Sequence, residues 1–162
     1  MSTAQHVACY ASPIGALEIT GTEAGIFSIR FLDRAPAQSP GVHPCLQACF
    51  TQLDEYFRGT RKEFTLSLQL RGTEFQQRVW KELLRIPFGS TRSYLDIAEA
   101  LGDKNFVRAV GAANGHNPIP IVVPCHRVIG SDGHLTGYGG GLWRKQWLLE
   151  HEGHLSQLKL FP

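Results

Sequence analysis

The sequence predicts an α/β (α+β) protein in two parts, a small antiparallel sheet with one helix and then a mainly helical region. Three short runs rich in β-branched and aromatic residues open the chain, separated by turn-forming residues. After Arg71-Gly72 the apolar spacing becomes that of helices. We therefore expect a strand-rich domain over residues 1–72 and a second domain over residues 73–162.

The N-terminal elements follow from local patterns. The three runs, 6–11, 14–20 and 25–31, predict an antiparallel meander. Apolar residues recur at helical spacing over residues 44–57, which predicts an amphipathic helix ended by Gly59. Residues 64–70 alternate between polar and apolar side chains and predict a further strand.

Composition and cysteine content limit the classes of protein. No apolar run approaches the roughly 18 residues of a membrane span, and no secretory signal is visible. Four cysteines without an export signal predict reduced thiols in a cytoplasmic protein. Cys45, Cys49 and the nearby His43 raise the question of zinc. The helical pattern explains Cys49 as core and no fourth ligand is evident, so we predict no metal site.

The basic excess lies in the second half of the chain. Residues 71–162 hold 11 Lys and Arg against 8 Asp and Glu, a net +3, whereas residues 1–70 hold 5 against 6, a net −1. This asymmetry mildly favours an anionic partner for the C-terminal part.

Helix signals in the second half predict a helix-turn-helix. Thr73 with Gln76, and Ser93 with Asp96, have the spacing of capping boxes. A second short helix is expected from Asn105 to about residue 114, with Gly115 as its C-terminal stop. It is rich in Ala and Gly, and Arg108 is its one cation. Such a helix packs tightly with one solvated arginine, or it enters a DNA groove with one inserted side chain, and the pattern alone leaves both open.

Residues 117–128 combine three prolines, an apolar run and then Cys125, His126 and Arg127. Proline fixes φ and favours extended backbone in the preceding residue, so a stiff, extended segment is expected over 117–124. A free cysteine is usually a small core hydrophobe. Followed directly by His and Arg, it more strongly indicates a nucleophile.

A nucleophilic cysteine at neutral pH needs a base. Neighbouring side chains point in different directions, so a water bridging Cys125 and His126 is more plausible than direct contact. The imidazole needs an acceptor on its other nitrogen. Glu152 is the candidate because it lies in the last turn of a predicted helix, where an anion requires a compensating partner.

The sequence Pro-Cys-His-Arg-Val at 124–128 resembles that of the O6-alkylguanine-DNA alkyltransferases, also called methylated-DNA–protein-cysteine methyltransferases. The likeness extends over Phe75-Gln-Gln-Arg-Val-Trp, Arg108-Ala-Val-Gly, Asn117-Pro-Ile-Pro, Gly-Gly-Leu-Trp-Arg-Lys and His151-Glu-Gly. It covers essentially all of residues 73–153, whereas the first 70 residues match only in pattern. It implies a ribonuclease H-like N-terminal domain and a winged-helix-like C-terminal domain.

The resemblance implies direct repair of double-stranded DNA, with the alkyl group moving irreversibly from O6 of a flipped guanine to Cys125. O4-alkylthymine would be a poorer substrate. His126, Glu152 and a water would form the proton relay, and Tyr94 would protonate the departing base. No cofactor and no membrane are implied, and the protein would act as a monomer, with its cooperativity on DNA left open.

Further residues follow from the same resemblance. Arg108 would enter the duplex, with Tyr94, Ala109 and Asn114 also at the DNA surface. The pocket residues would be Asn117, Pro120, Val128, Tyr138 and Gly139. Gly139 stands where some relatives have serine or alanine, which implies a more open pocket. The N-terminal zinc ligands of some animal members have no convincing counterpart.

The sequence leaves two alternative functions open. An alkyltransferase-like protein would bind lesions without repairing them, but such proteins lack the acceptor cysteine. An unrelated thiol hydrolase would also use a Cys-His pair, but it would not need the helix that carries Arg108.

Overall fold

The computed structural model describes residues 4–38 and 41–153. The chain forms two compact units, Met1–Arg71 and Gly72–Pro162. Within the described residues, no helix combines the length and the apolar composition needed to cross a bilayer.

The N-terminal unit is built on an antiparallel sheet of β1 (His6–Ser12), β2 (Gly15–Thr22) and β3 (Gly25–Phe31), in that order. Tight turns join the strands, because Ser12 pairs with Gly15 and Thr22 with Gly25. The predicted meander is therefore confirmed, with slightly longer strands.

Helix α1 (Pro44–Phe57) packs against this sheet. Its predicted apolar face is buried through Leu46, Cys49 and Leu53. The backbone turns at Gly59, whose φ of +82° is one that glycine adopts without strain. The predicted helix and its end are confirmed.

The strand predicted over residues 64–70 is wrong as a regular element. Its one pairing is an isolated parallel bridge between Ile26 and Leu68. The Ile26 N–H donates to the Ser67 carbonyl (2.9 Å), and the Gln69 N–H donates to the Ile26 carbonyl (2.8 Å). A Cβ at Gly25 would lie 2.5 Å from the Ser67 oxygen, so the close approach of this segment to β3 depends on that glycine. Alternation in the sequence could not distinguish a single bridge from a ladder.

The C-terminal unit is mainly helical, with one short parallel strand pair. Its elements are α2 (Glu74–Leu83), β4 (Arg92–Ser93), α3 (Tyr94–Ala100), α4 (Val107–Gly115), β5 (Val128–Ile129) and α5 (Leu142–His151). Both predicted capping boxes are present, on Thr73 and Ser93. Helices α2, α3 and α4 pack against one another, and the Trp80 indole N–H donates to the Ala113 carbonyl (2.8 Å).

The predicted start of α4 at Asn105 is wrong. The Asp103 carboxylate accepts the Asn105 N–H (2.8 Å), and a 3₁₀ turn over Lys104–Phe106 precedes the helix. The C-cap of the helix is His116, whose φ is −94°. Gly115 is the last helical residue rather than a left-handed stop.

The extended segment predicted over residues 117–124 is also wrong. The Val123 N–H donates to the Ile119 carbonyl (2.9 Å), which folds the chain into a turn. Ile121 has a φ of +75°, a conformation that costs a β-branched residue roughly 1–3 kcal/mol. The Asn117 amide holds this turn, accepting from the Ile119 N–H (3.0 Å) and donating to the Val123 carbonyl (2.7 Å). Residues 121–123 are all buried.

Candidate active site

The turn held by Asn117 leads directly into the Cys-His-Arg sequence. Residues Cys125–Arg127 form a 3₁₀ turn in which the Arg127 N–H donates to the Pro124 carbonyl (3.0 Å). All three side chains are buried, and His126 is completely inaccessible. The thiol, the imidazole and the guanidinium are thus fixed inside the C-terminal unit.

The Cys125 thiol is neutral at rest. Burial raises its pKa, against the opposing effects of a hydrogen bond from Asn117 and the nearby Lys145 ammonium. The thiolate is the nucleophilic form of cysteine. Reaction at Cys125 therefore requires a group that accepts its proton.

A buried hydrogen-bonded network contains His126, Glu152 and Arg127. His126 Nε2 is 2.8 Å from Glu152 Oε2. Arg127 donates from Nε to Oε1 (2.7 Å) and from Nη2 to Oε2 (3.0 Å) of the same carboxylate. Arg127 Nη1 also donates to the Ile86 carbonyl (2.7 Å). The network ties the reactive turn to the end of α5 and to the chain just after α2.

Burial and hydrogen bonding determine the protonation states in this network. Burial acts to raise the pKa of Glu152, but His126 and Arg127 together outweigh it and hold that pKa below its usual range. Burial lowers the pKa of His126 more than Glu152 raises it. We conclude that Glu152 is ionised and bound by Arg127, while His126 is neutral and donates its Nε2 proton to the carboxylate. His126 Nδ1 is then the acceptor nitrogen, and it has no hydrogen-bonding partner among the described residues.

Glu152 is the C-cap residue of α5, with its side chain fully buried. A carboxylate opposes the helix dipole at this end, and the two hydrogen bonds from Arg127 compensate for it. A compensating partner was expected from the sequence, but Arg127 was not identified as that partner.

A second buried cation, Lys145, was also missed. Its ammonium donates to the carbonyls of Thr136 (2.9 Å) and Gly137 (3.4 Å), and its Nζ is 3.5 Å from the Tyr94 hydroxyl. Burial lowers the pKa of Lys145 to about 8, although Cys125 acts in the opposite direction. Helical spacing was the available signal, because Lys145 and Glu152 share the apolar face of α5 with Leu148.

Tyr94 lies at the start of α3 and is bound to the loop that precedes α5. Its hydroxyl donates to the Thr136 carbonyl (3.1 Å) and accepts from Thr136 Oγ1 (3.3 Å). Burial raises the pKa of Tyr94. The phenol is therefore protonated at neutral pH and has a cation, Lys145, beside its oxygen.

A cavity of about 450 Å³ opens beside these groups, within the usual size range of small-molecule sites. Its lining residues come from α3, α4 and the loop before α5: Tyr94, Val107, Gly111, Asn114, Gly115, Thr136, Gly137, Tyr138 and Gly139. Two of them reach the reactive turn. Asn114 donates to the Cys125 carbonyl (3.4 Å), and Tyr138 lies close enough to Cys125 for each group to shift the pKa of the other.

The predicted surface residues of α4 divide into two groups. Arg108 and Ala109 are exposed at the start of the helix. Asn114, expected at the same surface, is only 5% exposed and binds Cys125 instead. Helical spacing explains the difference, since Val110, Ala113 and Asn114 share the buried face.

Only some of the residues predicted to form the pocket line the cavity. Tyr138 and Gly139 line the cavity, and Asn117 reaches the thiol. The lining contributed by the described residues does not include Pro120 or Val128. Val128 is fully buried in β5, and Pro120 is bridged to Val123 within the turn.

A buried cysteine followed in sequence by a histidine that a carboxylate orients is the arrangement expected of one class of protein: that in which a cysteine acts as a nucleophile. Comparison with known proteins narrows the class. Residues 74–154 match the model of the 6-O-methylguanine DNA methyltransferase DNA binding domain, and residues 6–70 match its ribonuclease-like domain. The chain belongs to this methyltransferase family, as the sequence predicted.

Individual relatives agree over nearly the whole chain. A methylated-DNA–protein-cysteine methyltransferase of Mycobacterium tuberculosis is 50% identical over 91% of this chain and 92% of its own. One from Methanosarcina barkeri is 45% identical over 87% and 92%. The crystal structure of the Mycobacterium tuberculosis O6-methylguanine methyltransferase matches with a TM-score of 0.83 at 47% identity, covering 98% and 97% of the two chains. A structure of the protein from that organism in complex with DNA matches with a TM-score of 0.82 at 51% identity, over 91% and 92%.

Proposed function

We propose that this protein repairs duplex DNA by transferring an alkyl group from O6 of guanine to the sulfur of Cys125. The proposal rests above all on the inaccessible imidazole of His126, whose Nε2 is held by Glu152 and whose Nδ1 is left as an acceptor. O4-alkylthymine would react more slowly. The protein would act as a monomer.

The thiol proton leaves towards His126. A water that bridges Cys125 Sγ and His126 Nδ1 would carry it, since neighbouring side chains do not face each other. Glu152 stabilises the imidazolium that forms, and Arg127 keeps that carboxylate ionised and in place. A correctly oriented base thereby lowers the free-energy cost of forming the thiolate.

The departing guanine must also be neutralised. As sulfur bonds to the alkyl carbon, the O6–carbon bond breaks and its electron pair stays on the base. Tyr94 lies on the cavity wall and would donate its proton to N3 of guanine. Lys145, 3.5 Å from the phenolic oxygen, would stabilise the phenolate until the relay returns a proton to it. Guanine thus keeps the proton of Tyr94, the thiol proton replaces it on the phenol, and the thioether has no leaving group that would regenerate the thiol.

The alkylated base must leave the duplex to reach a buried sulfur. The cavity between α4 and the loop before α5 would receive it, with Asn114 and Tyr138 connecting its wall to Cys125. Arg108, exposed on α4, would enter the duplex and replace the flipped base.

The direct test is the intact mass of the full chain after incubation with a duplex containing O6-methylguanine. We expect a gain of one methylene unit per chain, located on Cys125 by peptide mapping, and no second turnover. Tight binding of the duplex without any mass gain would contradict the proposal, and so would modification of another cysteine.

Arg108→Ala is expected to slow repair of duplex DNA by at least about tenfold while barely changing the reaction with free O6-benzylguanine, which needs no flipping. Single-turnover rates on both substrates provide the measurement. Lys104→Ala, which removes an exposed cation from the turn before α4, controls for lost charge. Equal slowing on the two substrates would remove Arg108 from the flipping step.

Gly139→Ser is expected to reduce tolerance of large alkyl groups. No atom lies within 4 Å of a Cβ built at Gly139, so the side chain fits without strain and occupies space at the cavity wall. We expect the ratio of the rates for O6-benzylguanine and O6-methylguanine in DNA to fall several-fold. An unchanged ratio would mean that this wall does not contact the alkyl group.

A further inference from the structure

Three metal-ligating side chains meet in the N-terminal unit, whereas the groups assigned to repair belong to the C-terminal unit. His6 opens β1, His43 is the N-cap of α1, and Cys45 lies in the first turn of that helix. One ligand atom from each lies within 4.8 Å of the other two. His43 Nδ1 and Cys45 Sγ are 3.1 Å apart, and the rings of His6 and His43 stack with centroids 3.5 Å apart.

We propose that His6, His43 and Cys45 form a binding site for a zinc-like divalent transition metal. Two imidazoles and one thiolate are the ligand types that such ions prefer. This set differs from the Cys45–Cys49 pairing considered from the sequence, because Cys49 is 1% exposed and belongs to the core of α1. The missing ligand comes instead from His6, 39 positions before Cys45 in the chain.

The distances require a modest rearrangement to bind an ion. Ligand atoms 2.0–2.3 Å from a tetrahedral metal lie roughly 3.3–3.8 Å from one another, so atoms within 4.8 Å are close enough for side-chain rotation to suffice. The two imidazole rings stack with an interplanar angle of 13°. Each ring must direct a nitrogen lone pair at the same ion, so the rings must rotate apart when the ion binds. His43 Nδ1 accepts the Cys45 N–H (3.1 Å), and this cap bond would be given up.

The charges around Cys45 favour a cation. A bound divalent ion displaces the thiol proton to solvent and neutralises the thiolate. Glu23 and Cys45 line one cavity, so this carboxylate adds a negative charge close to the proposed site. The three protein ligands are all partly exposed, which leaves a path for the ion to enter.

The test uses the full chain without an affinity tag, dialysed against micromolar zinc and then against buffer. We expect about one zinc per chain by elemental analysis. His6→Gln, His43→Asn and Cys45→Ser should each reduce this at least tenfold. His43→Asn is chosen because asparagine still caps the helix, so lost zinc cannot be ascribed to a lost cap. Cobalt provides a second readout: a thiolate-to-cobalt charge-transfer band should be present in the wild type and absent in Cys45→Ser.

Two controls exclude other thiols. Cys9→Ser removes a partly exposed cysteine outside the cluster, and Cys125→Ser removes the proposed acceptor; both should bind zinc normally. No zinc or cobalt binding by the wild type would overturn the proposal, and so would binding that survives all three cluster substitutions. Methyl transfer by Cys45→Ser should match the wild type, so failure of the metal site and failure of the repair function are separate results.

Discussion

Glu152→Gln is expected to slow alkyl transfer to Cys125 by about 10²-fold or more, the scale of a lost general base. Glutamine has one acceptor oxygen, whereas the carboxylate accepts from both His126 and Arg127. If the glutamine oxygen accepts the hydrogen bond from Arg127, the glutamine NH₂ group faces His126 Nε2. The imidazole must then place its proton on Nδ1, which removes the acceptor that the relay requires.

The single-turnover rate with O6-methylguanine in duplex DNA measures this effect, and DNA affinity should remain near that of the wild type. Glu150→Gln is the matched control, because Glu150 lies two residues earlier in α5 and its carboxylate accepts an intrahelical hydrogen bond from Gln146 (2.8 Å). Should Glu152→Gln react within twofold of Glu150→Gln, His126 would not be the base.

The same substitution has a consequence for stability. Removing one member of a buried ion pair typically costs about 3–5 kcal/mol, because the remaining charge is left uncompensated. The pKa of Glu152 is lower in the folded chain than the unfolded value of about 4.3. Its stabilising contribution is therefore fully present above about pH 5 and is lost as the pH falls towards the folded pKa. Denaturant unfolding of the variant should show lower stability at pH 7 and a weaker decline in acid.

Local signals were sufficient to predict much of the fold. The capping boxes at Thr73 and Ser93 are completed within four residues, and both helix starts are where those residues predict. The failure at Asn105 has the same origin, since Asp103 competes for the same role and its side chain captures the Asn105 N–H. Cap residues indicate that a helix begins nearby. Which of two neighbouring candidates caps the helix depends on contacts that form only in the folded chain.

Non-local contacts explain what the sequence could not predict. The prolines restrict their own φ and the residues before them, but they do not determine Ile121, whose φ of +75° is stabilised by the burial of its neighbours and by the Asn117 amide. Lys145 and Arg127 gained their roles through partners on other elements, Tyr94 and Glu152. Cys125 and His126 could be proposed because they are adjacent in sequence and belong to a specific family motif.

Cys125→Ser is expected to abolish alkyl transfer while leaving recognition of the lesion intact. The substituted hydroxyl remains close in size, so the cavity and the hydrogen bonds of Asn117 should be preserved. An alcohol is far harder to deprotonate than a thiol, and its proton would have to pass to a base whose own pKa burial has lowered. We expect no mass gain over days and binding of an O6-methylguanine duplex within about threefold of the wild type.

This variant separates repair from recruitment, because lesion binding without transfer is what an alkyltransferase-like protein does. Cys49→Ser is the matched control: it changes a buried cysteine of the N-terminal unit and should leave full methyl transfer to Cys125. Methyl transfer by Cys125→Ser at a measurable rate would mean that another group accepts the alkyl carbon. Loss of lesion binding in a folded Cys125→Ser protein would instead make the thiol part of the recognition surface, which its burial at 5% exposure argues against.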